Sequence, residues 1–125
     1  MTHDLRLNIE EMDTAHERFL EMLEQLQKTE SRIDTALFRE WIDETKRHFA
    51  EEEKLMMKYL YPERETHTGD HEQLVDEMDS FFAMITTMPP MARSFVEGYT
   101  YDKFRRHTMF YDLDLSKFLA ANKAG

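Results

Sequence analysis

Long stretches of helix-forming residues alternate along this chain with a few short breaks. Glu, Lys, Leu and Met are abundant in the stretches, and all four favour helix. Only three glycines and three prolines occur, so Pro62 and the pair Pro89–Pro90 are the clear breaks. This pattern predicts four helices, with Asp13 as the N-cap of the first. The predicted helices cover about residues 13–28, 35–60, 63–87 and 91–121.

Residues spaced by three or four positions define one inward face on each predicted helix. Short connections make consecutive helices antiparallel neighbours. The sequence therefore predicts an all-α fold, an up-down-up-down antiparallel four-helix bundle, as a single domain over residues 1–125. The predicted inward positions are Met12, His16, Phe19, Leu23 and Leu26; Trp41, Thr45, His48, Glu52, Leu55 and Tyr59; His67, His71, Leu74, Met78, Phe81 and Ile85; and Val96, Thr100, Phe104, His107, Asp112, Leu115 and Leu119.

Five histidines and two carboxylates lie on these otherwise apolar faces, where burial is costly unless something satisfies them. Two of the pairs are spaced i,i+4 and so share one helical face. In an up-down-up-down bundle, residues early in the first and third helices meet residues late in the second and fourth. All seven are therefore expected at one level of the bundle. They are His16, His48, Glu52, His67, His71, His107 and Asp112.

The fourth predicted helix has an irregular step at its polar residues. His107 and Asp112 are five positions apart. At about 100° per residue, a five-residue step misses the same helical face by about 140°. Both side chains can point inward only if the helix is locally loosened. We therefore predict a π-type turn around Phe110–Tyr111.

The seven residues form a ligand set of imidazoles and carboxylates, which suits iron, zinc or manganese. If both carboxylates bridge two metals and an oxo or hydroxo group joins them, a metal with three histidines has six ligands. The second metal, with two histidines, has five and keeps an open position. This count suggests a gas-binding or redox role. The sixth histidine, His3, is interpreted as an exposed terminal residue.

Composition narrows the class of protein. The chain has no cysteine, which excludes disulfides, thiolate zinc sites and iron–sulfur clusters and suits a cytoplasmic location. Its net charge of −10 disfavours nucleic acid as a partner. No apolar run approaches the ~20 residues needed to cross a membrane, and the N-terminus lacks the pattern of a secretory signal. We expect a monomer or a weak homo-oligomer.

Four segments together resemble the hemerythrin family, specifically its single-domain bacterial members. The resemblance implies a di-iron centre that binds O2 reversibly. It also implies that three histidines hold one iron, two hold the iron with the open position, and the two carboxylates bridge. The segments are Met12-Asp13-Thr14-Ala15-His16, His48-Phe49-Ala50-Glu51-Glu52, His67-x3-His71 and His107-x4-Asp112. The implied sets are His67, His71 and His107; His16 and His48; and Glu52 and Asp112.

The chain departs from the usual pattern of the family at two positions near the expected pocket. Thr108 follows the histidine of the fourth helix, where an apolar residue is usual, and Lys103 stands where a Trp is common. Thr108 either faces the pocket or bonds back to a helix carbonyl, and we expect the second. Four residues are candidates for pocket walls or, equally, for ordinary core: Phe19, Phe49, Phe104 and Met109.

The leading functional hypothesis is O2 storage, delivery or scavenging, with no substrate converted and therefore no enzyme activity. An O2 or redox sensor module is the first alternative. The second is a di-iron enzyme acting on peroxide or nitric oxide. A ferritin-like oxidase is disfavoured because its two Glu-x-x-His motifs are missing. A metal-free bundle ranks last, since it would bury seven polar side chains without compensation.

Overall fold

The computed structural model describes Leu7 and residues 9–28 and 33–123. Within these residues all regular structure is helical, which confirms the predicted all-α four-helix bundle. The first three helices are α1 (Glu10–Gln27), α2 (Thr35–Lys58) and α3 (Arg64–Thr87). The fourth covers residues 89–123 as α4 (Pro89–Ser94), π1 (Phe95–Tyr99), α5 (Thr100–His107), π2 (Thr108–Asp112) and α6 (Leu113–Lys123). The predicted exposure of His3 lies outside the described residues.

The first two helices begin in different ways. Asp34 caps α2, because its carboxylate accepts the N–H of Leu37 at 3.0 Å. The prediction that Asp13 caps α1 was wrong. That helix begins at Glu10 with Ile9 as its N-cap residue, and Asp13 lies within the helix. Its carboxylate accepts the N–H of Leu7 at 2.7 Å, so it binds the chain ahead of the helix.

The second helix ends at Lys58, two residues before the predicted end. Leu60 has a φ of +55°, the left-handed conformation that closes many helices. The N–H of Tyr61 donates to the carbonyl of Met56 at 2.8 Å, and the N–H of Leu60 donates to Met57 at 3.3 Å. This pair of bonds is a Schellman motif, which satisfies the last carbonyls and turns the chain toward α3.

The fourth helix contains two π segments, one predicted and one not. It begins at Pro89 rather than near residue 91, since proline is tolerated in a first helical turn. The predicted loosening around Phe110–Tyr111 is confirmed by π2. Nothing in the sequence pattern indicated π1. Both segments lie directly before buried polar positions or contain them, so they affect which side chains face the interior.

The interior has two apolar clusters with a polar layer between them. In α1, for example, Met12 belongs to the smaller cluster, Phe19 to the larger, and buried His16 lies between. The smaller cluster comprises Leu7, Ile9, Met12, Met56, Tyr61, Leu115 and Leu119. The larger includes Phe19, Leu23, Phe38, Trp41, Ile42, Met78, Phe95, Val96 and Phe104. Most predicted inward positions are buried, whereas the exceptions are only partly buried: His48, Leu55, Tyr59, Leu74, Phe81 and Ile85.

Within the described part of the chain, no helix is long and apolar enough to cross a membrane.

Candidate metal centre

The seven polar residues that the sequence singles out meet in the layer between the two apolar clusters. His48 is 13% exposed, and the other six are 3% exposed or less. All four helices contribute: His16 from α1, His48 and Glu52 from α2, His67 and His71 from α3, and His107 and Asp112 from the fourth helix. Their meeting at one level agrees with the topology argument. Their role as metal ligands stays a prediction.

Glu52 presents its two carboxylate oxygens to histidines on opposite sides. Its Oε1 lies 2.8 Å from Nε2 of His67 and 3.1 Å from Nε2 of His71. Its Oε2 lies 3.1 Å from Nε2 of His48. One carboxylate thus reaches two groups of imidazoles, as a carboxylate bridging two cations would.

Asp112 divides its oxygens in the same way. Its Oδ1 lies 3.0 Å from Nε2 of both His67 and His107. Its Oδ2 lies 2.8 Å from Nε2 of His16. Asp112 is fully buried at the end of π2, so the loosened turn allows both His107 and Asp112 to point inward.

The ligand atoms fall into two groups that could each hold a metal ion. Glu52, His67, His71, His107 and Asp112 form one, and His16, His48 and Glu52 form the other. In each group, the candidate ligand atoms lie within 4.8 Å of one another. The division is asymmetric, with three histidines in one group and two in the other. It matches the asymmetry that the ligand count predicted.

The donor atoms of this layer satisfy each other only in part. Several buried nitrogens and oxygens have no hydrogen-bond partner among the described residues, including Nε2 of His67, His48 and His107, Oε2 of Glu52 and Oδ1 of Asp112. Burying unpartnered polar atoms is costly, and bound cations would satisfy lone pairs that converge on one space. Nitrogen and carboxylate donors suit iron, zinc or manganese. The residues therefore fit a metal centre.

Two further carboxylates hold the outer nitrogens of the histidines, and sequence reasoning missed both. The Nδ1–H of His107 donates to Asp70 at 2.6 Å, and the Nδ1–H of His71 donates to Glu53 at 2.9 Å. Such bonds fix the orientation of a ligating imidazole and leave its Nε2 free for a metal. The chain has 26 acidic residues. Helical spacing alone does not single out these two.

Aromatic rings enclose the side of the layer that faces the larger apolar cluster. The Phe49 ring stacks on His71 with centroids 3.8 Å apart, and Phe104 meets His16 edge-on at 5.3 Å. Phe19 stacks on Phe104 at 4.0 Å. These three residues are walls of the site as well as members of the core. Met109 is not a wall, because it is 40% exposed on the outer side of π2.

Thr108 behaves as the sequence predicted. Its Oγ1 donates to the carbonyl of Phe104 at 3.0 Å, and the residue is fully buried. The hydroxyl is thus occupied within its own helix and offers no hydrogen to the centre. Thr108, which stands in place of an apolar residue, therefore adds little polarity to the site.

Two surface grooves reach the layer from opposite sides. One, of about 630 Å³, lies between α1 and α2 and is lined by His48, Thr45 and Phe19 among others. The other, of about 610 Å³, lies between α3 and the fourth helix, and Asp70, His107 and Tyr111 line it. One histidine of each group, His48 or His107, therefore lines a surface groove.

The buried charges of the layer shift one another's pKa values. Burial and the charge of Asp112 oppose ionisation of Glu52, but the three imidazoles next to its oxygens outweigh them and hold its pKa well below the usual range. Burial also opposes ionisation of Asp112, and the charge of His107 together with the neighbouring imidazole of His16 lowers its pKa strongly. Burial disfavours protonation of His107, yet Asp112 and Asp70 raise its pKa to about 10.

These shifts predict how the stability of the metal-free protein depends on pH. A raised pKa at His107 contributes stability that is complete below its unfolded value of about 6.5 and is lost as pH rises toward 10. Lowered pKa values at Glu52 and Asp112 contribute stability above about pH 4 that is lost in acid. Urea unfolding of the metal-free protein should therefore give its highest midpoint between about pH 5 and 6.5.

The same measurement on His107→Asn tests the part that this imidazole plays in both declines. This variant should lose much of the decline between about pH 6.5 and 10, and its decline in acid should also become weaker, because His107 lowers the pKa of Asp112. A midpoint of the unsubstituted chain that climbs toward pH 10 would contradict the electrostatic account of the layer.

Comparison with known proteins agrees with this geometry. The family model described as the hemerythrin HHE cation-binding domain matches residues 7–118. A relative named bacteriohemerythrin from Stenotrophomonas maltophilia (strain R551-3) is 34% identical over 82 residues. That match covers 62% of this chain and 54% of the relative, so the matched part spans about half of the relative's length. No solved structure matches the chain. The family match covers nearly the whole chain, and the chain belongs to the hemerythrin family.

Proposed function

We propose that this protein holds two irons and binds O2 reversibly, without converting it or any other substrate. The proposal rests on the asymmetric division of five histidines around two carboxylates, of which Glu52 belongs to both groups and Asp112 directs one oxygen to each side. With an oxo or hydroxo bridge, three histidines and both carboxylates would give one metal six ligands, while the other, with two histidines, would have five and room for a small ligand. The relative named bacteriohemerythrin supports the same function. When bound, the two irons supply the electrons that reversible O2 binding requires.

The proposal gives each of the seven side chains a defined position. His67, His71 and His107 would hold one iron, and His16 and His48 would hold the iron with the open position. Glu52 and Asp112 would bind both irons, because each directs one oxygen to each group of imidazoles.

The surrounding residues orient the ligands and exclude water. Asp70 and Glu53 accept the Nδ1 hydrogens of His107 and His71, so the Nε2 atoms of these rings carry the lone pairs that face the centre. Phe19, Phe49 and Phe104 cover the side next to the larger apolar cluster. An apolar wall that excludes water slows the departure of bound O2 as a charged species, because charge separation is unfavourable in an apolar space. These residues therefore favour release of O2 unchanged.

A spectroscopic O2 titration tests the proposal. The purified protein is loaded with iron, reduced without air, and exposed to repeated cycles of O2 and argon. We expect a visible charge-transfer band that appears with O2 and disappears under argon over several cycles. A band that forms once and decays to the oxidised protein would instead indicate a sensor or an enzyme. No band with two irons bound would reject O2 as the ligand.

We further propose that residues 1–125 are one hemerythrin-like domain, which acts as a monomer or a weak homo-oligomer and has neither nucleic acid nor a membrane as a partner. The cytoplasmic location stays a prediction.

A further inference from the structure

The two groups of candidate ligands differ in how their histidines are held on the outer side. In the larger group, the Nδ1–H of His107 donates to Asp70 at 2.6 Å, and the Nδ1–H of His71 donates to Glu53 at 2.9 Å. A carboxylate in this position fixes the tautomer and the orientation of the ring. Two of the three histidines of the larger group are therefore oriented by the protein itself.

Aromatic rings restrain the same two histidines on their faces. Phe49 stacks on His71 with centroids 3.8 Å apart and ring planes 5° apart. Tyr111 lies against His107 with centroids 5.4 Å apart and planes 27° apart. Close packing of this kind holds a side chain in one rotamer. Both imidazoles are thus held at the outer nitrogen and at the face, so little order has to be gained when a metal ion binds.

The smaller group lacks such support within the described part of the chain. Nδ1 of His16 is buried and has no hydrogen-bond partner there. His48 is 13% exposed and borders the groove between α1 and α2. Two acids that line this groove, Glu44 and Glu51, pair with Arg47 instead. The two histidines of the smaller group are therefore less firmly oriented than those of the larger group.

The groups also differ in the number of their donors. The larger contains five candidate ligands and the smaller three, and Glu52 belongs to both. An ion in the larger group therefore meets more donors. It also engages one oxygen of the shared carboxylate and adds positive charge beside the smaller group, which opposes a second ion. Both effects make the smaller group the weaker of the two.

We infer that Asp70 and Glu53 make the larger group fill first, so that the chain holds one metal ion there before the position for O2 is completed. Binding of O2 is then controlled by the supply of a second metal ion. This consequence rests on the proposed function, which alone assigns O2 to the smaller group. The order of filling itself involves neither iron nor O2.

Stepwise removal of zinc tests the order of filling. Zn²⁺ binds imidazole and carboxylate ligands and has no redox chemistry. Because affinity is an equilibrium property, the group that fills first also empties last. The protein, loaded with two zinc ions and labelled with ¹⁵N at histidine, is titrated with a chelator while the imidazole nitrogens are followed by NMR. We expect His16 and His48 to lose zinc first, and His67, His71 and His107 to keep it until the second ion leaves.

Two variants test the role of the outer carboxylates in this order. Asp70→Asn and Glu53→Gln each remove the charge that orients one imidazole. We expect each to lower the affinity of the larger group by about 10–100-fold, and that of the smaller group by less than about threefold. The two steps of zinc loss should then move together. Asp76→Asn on α3 and Glu51→Gln on α2 are the matched controls, since both make the same change in charge at exposed positions.

The possible outcomes keep this inference apart from the proposed function. Loss of zinc from all five histidines together, or first from the larger group, would overturn the order of filling. Equal weakening of both steps in Asp70→Asn would show that Asp70 supports the fold in general, and would overturn its assigned role. If zinc leaves in the expected order but the iron-loaded protein gives no reversible O2 band, the order stands and the assignment of O2 fails.

Discussion

Glu52→Gln is expected to remove metal from both positions of the centre. The two oxygens of Glu52 face His48 on one side and His67 and His71 on the other, so the amide weakens both groups at once. We expect metal affinity to fall by more than about a hundredfold, and metal content to fall from about two to below one per chain. Stability should fall with it, because metal binding and folding are coupled. Metal analysis and urea unfolding measure both effects.

Glu51→Gln is the matched control for this variant. Glu51 is the neighbouring residue on α2, its side chain is 62% exposed, and the substitution makes the same change in charge. The control should keep full metal content and its urea midpoint. Full metal loading in Glu52→Gln would show that Glu52 is not a ligand.

His16→Ala and His107→Ala should have unequal effects. His16 belongs to the smaller group of ligands, and its loss leaves the five-residue group of Glu52, His67, His71, His107 and Asp112 intact. This variant should therefore keep about one metal per chain. His107→Ala breaks the larger group and also leaves Asp70 without its imidazole partner. Removing one member of a buried charged network costs about 3–5 kcal/mol, so this variant should lose more metal and more stability.

Metal content per chain and urea unfolding, measured side by side, decide the comparison. The reverse order, with His107→Ala retaining one metal and His16→Ala retaining none, would contradict the asymmetric division of the centre.

The position of the polar layer in the bundle could be predicted from the sequence. The spacing of residues determines which side of a helix each lies on and how far along the bundle it is. His16, His48 and His71 occupy inward positions of different helices, and antiparallel packing puts them at one level. The same reasoning predicted the loosened turn of π2, since a five-residue step between His107 and Asp112 is incompatible with a regular helix. Features that follow from spacing alone were predicted correctly.

Hydrogen bonds for which the sequence offers many candidate side chains were not predicted. Asp13 has the residue type of an N-cap, but its carboxylate binds the N–H of Leu7 and the helix begins three residues earlier. Asp70 and Glu53 each contact one histidine, and nothing in their spacing separates them from other acids of the chain. The π1 segment has no polar step to reveal it.

The contacts of Lys103 could not be predicted either, although the sequence singled out the residue. The sequence identified it as a departure from the family pattern, but not what it contacts. In the structure its ammonium group lies near Glu77 and over the ring of Tyr99, 5.6 Å from the centroid. A partner on a neighbouring helix depends on how the two helices are rotated against each other, which the periodicity of one helix does not specify.

The number of metal ions held by the seven side chains of one molecule can be measured directly. Native mass spectrometry of the iron-loaded protein resolves the number and mass of bound ions in each molecule. We expect a dominant species with two irons per chain, and a single-iron species in His16→Ala. A dominant species with no metal, or with one metal in the unsubstituted protein, would contradict this expectation.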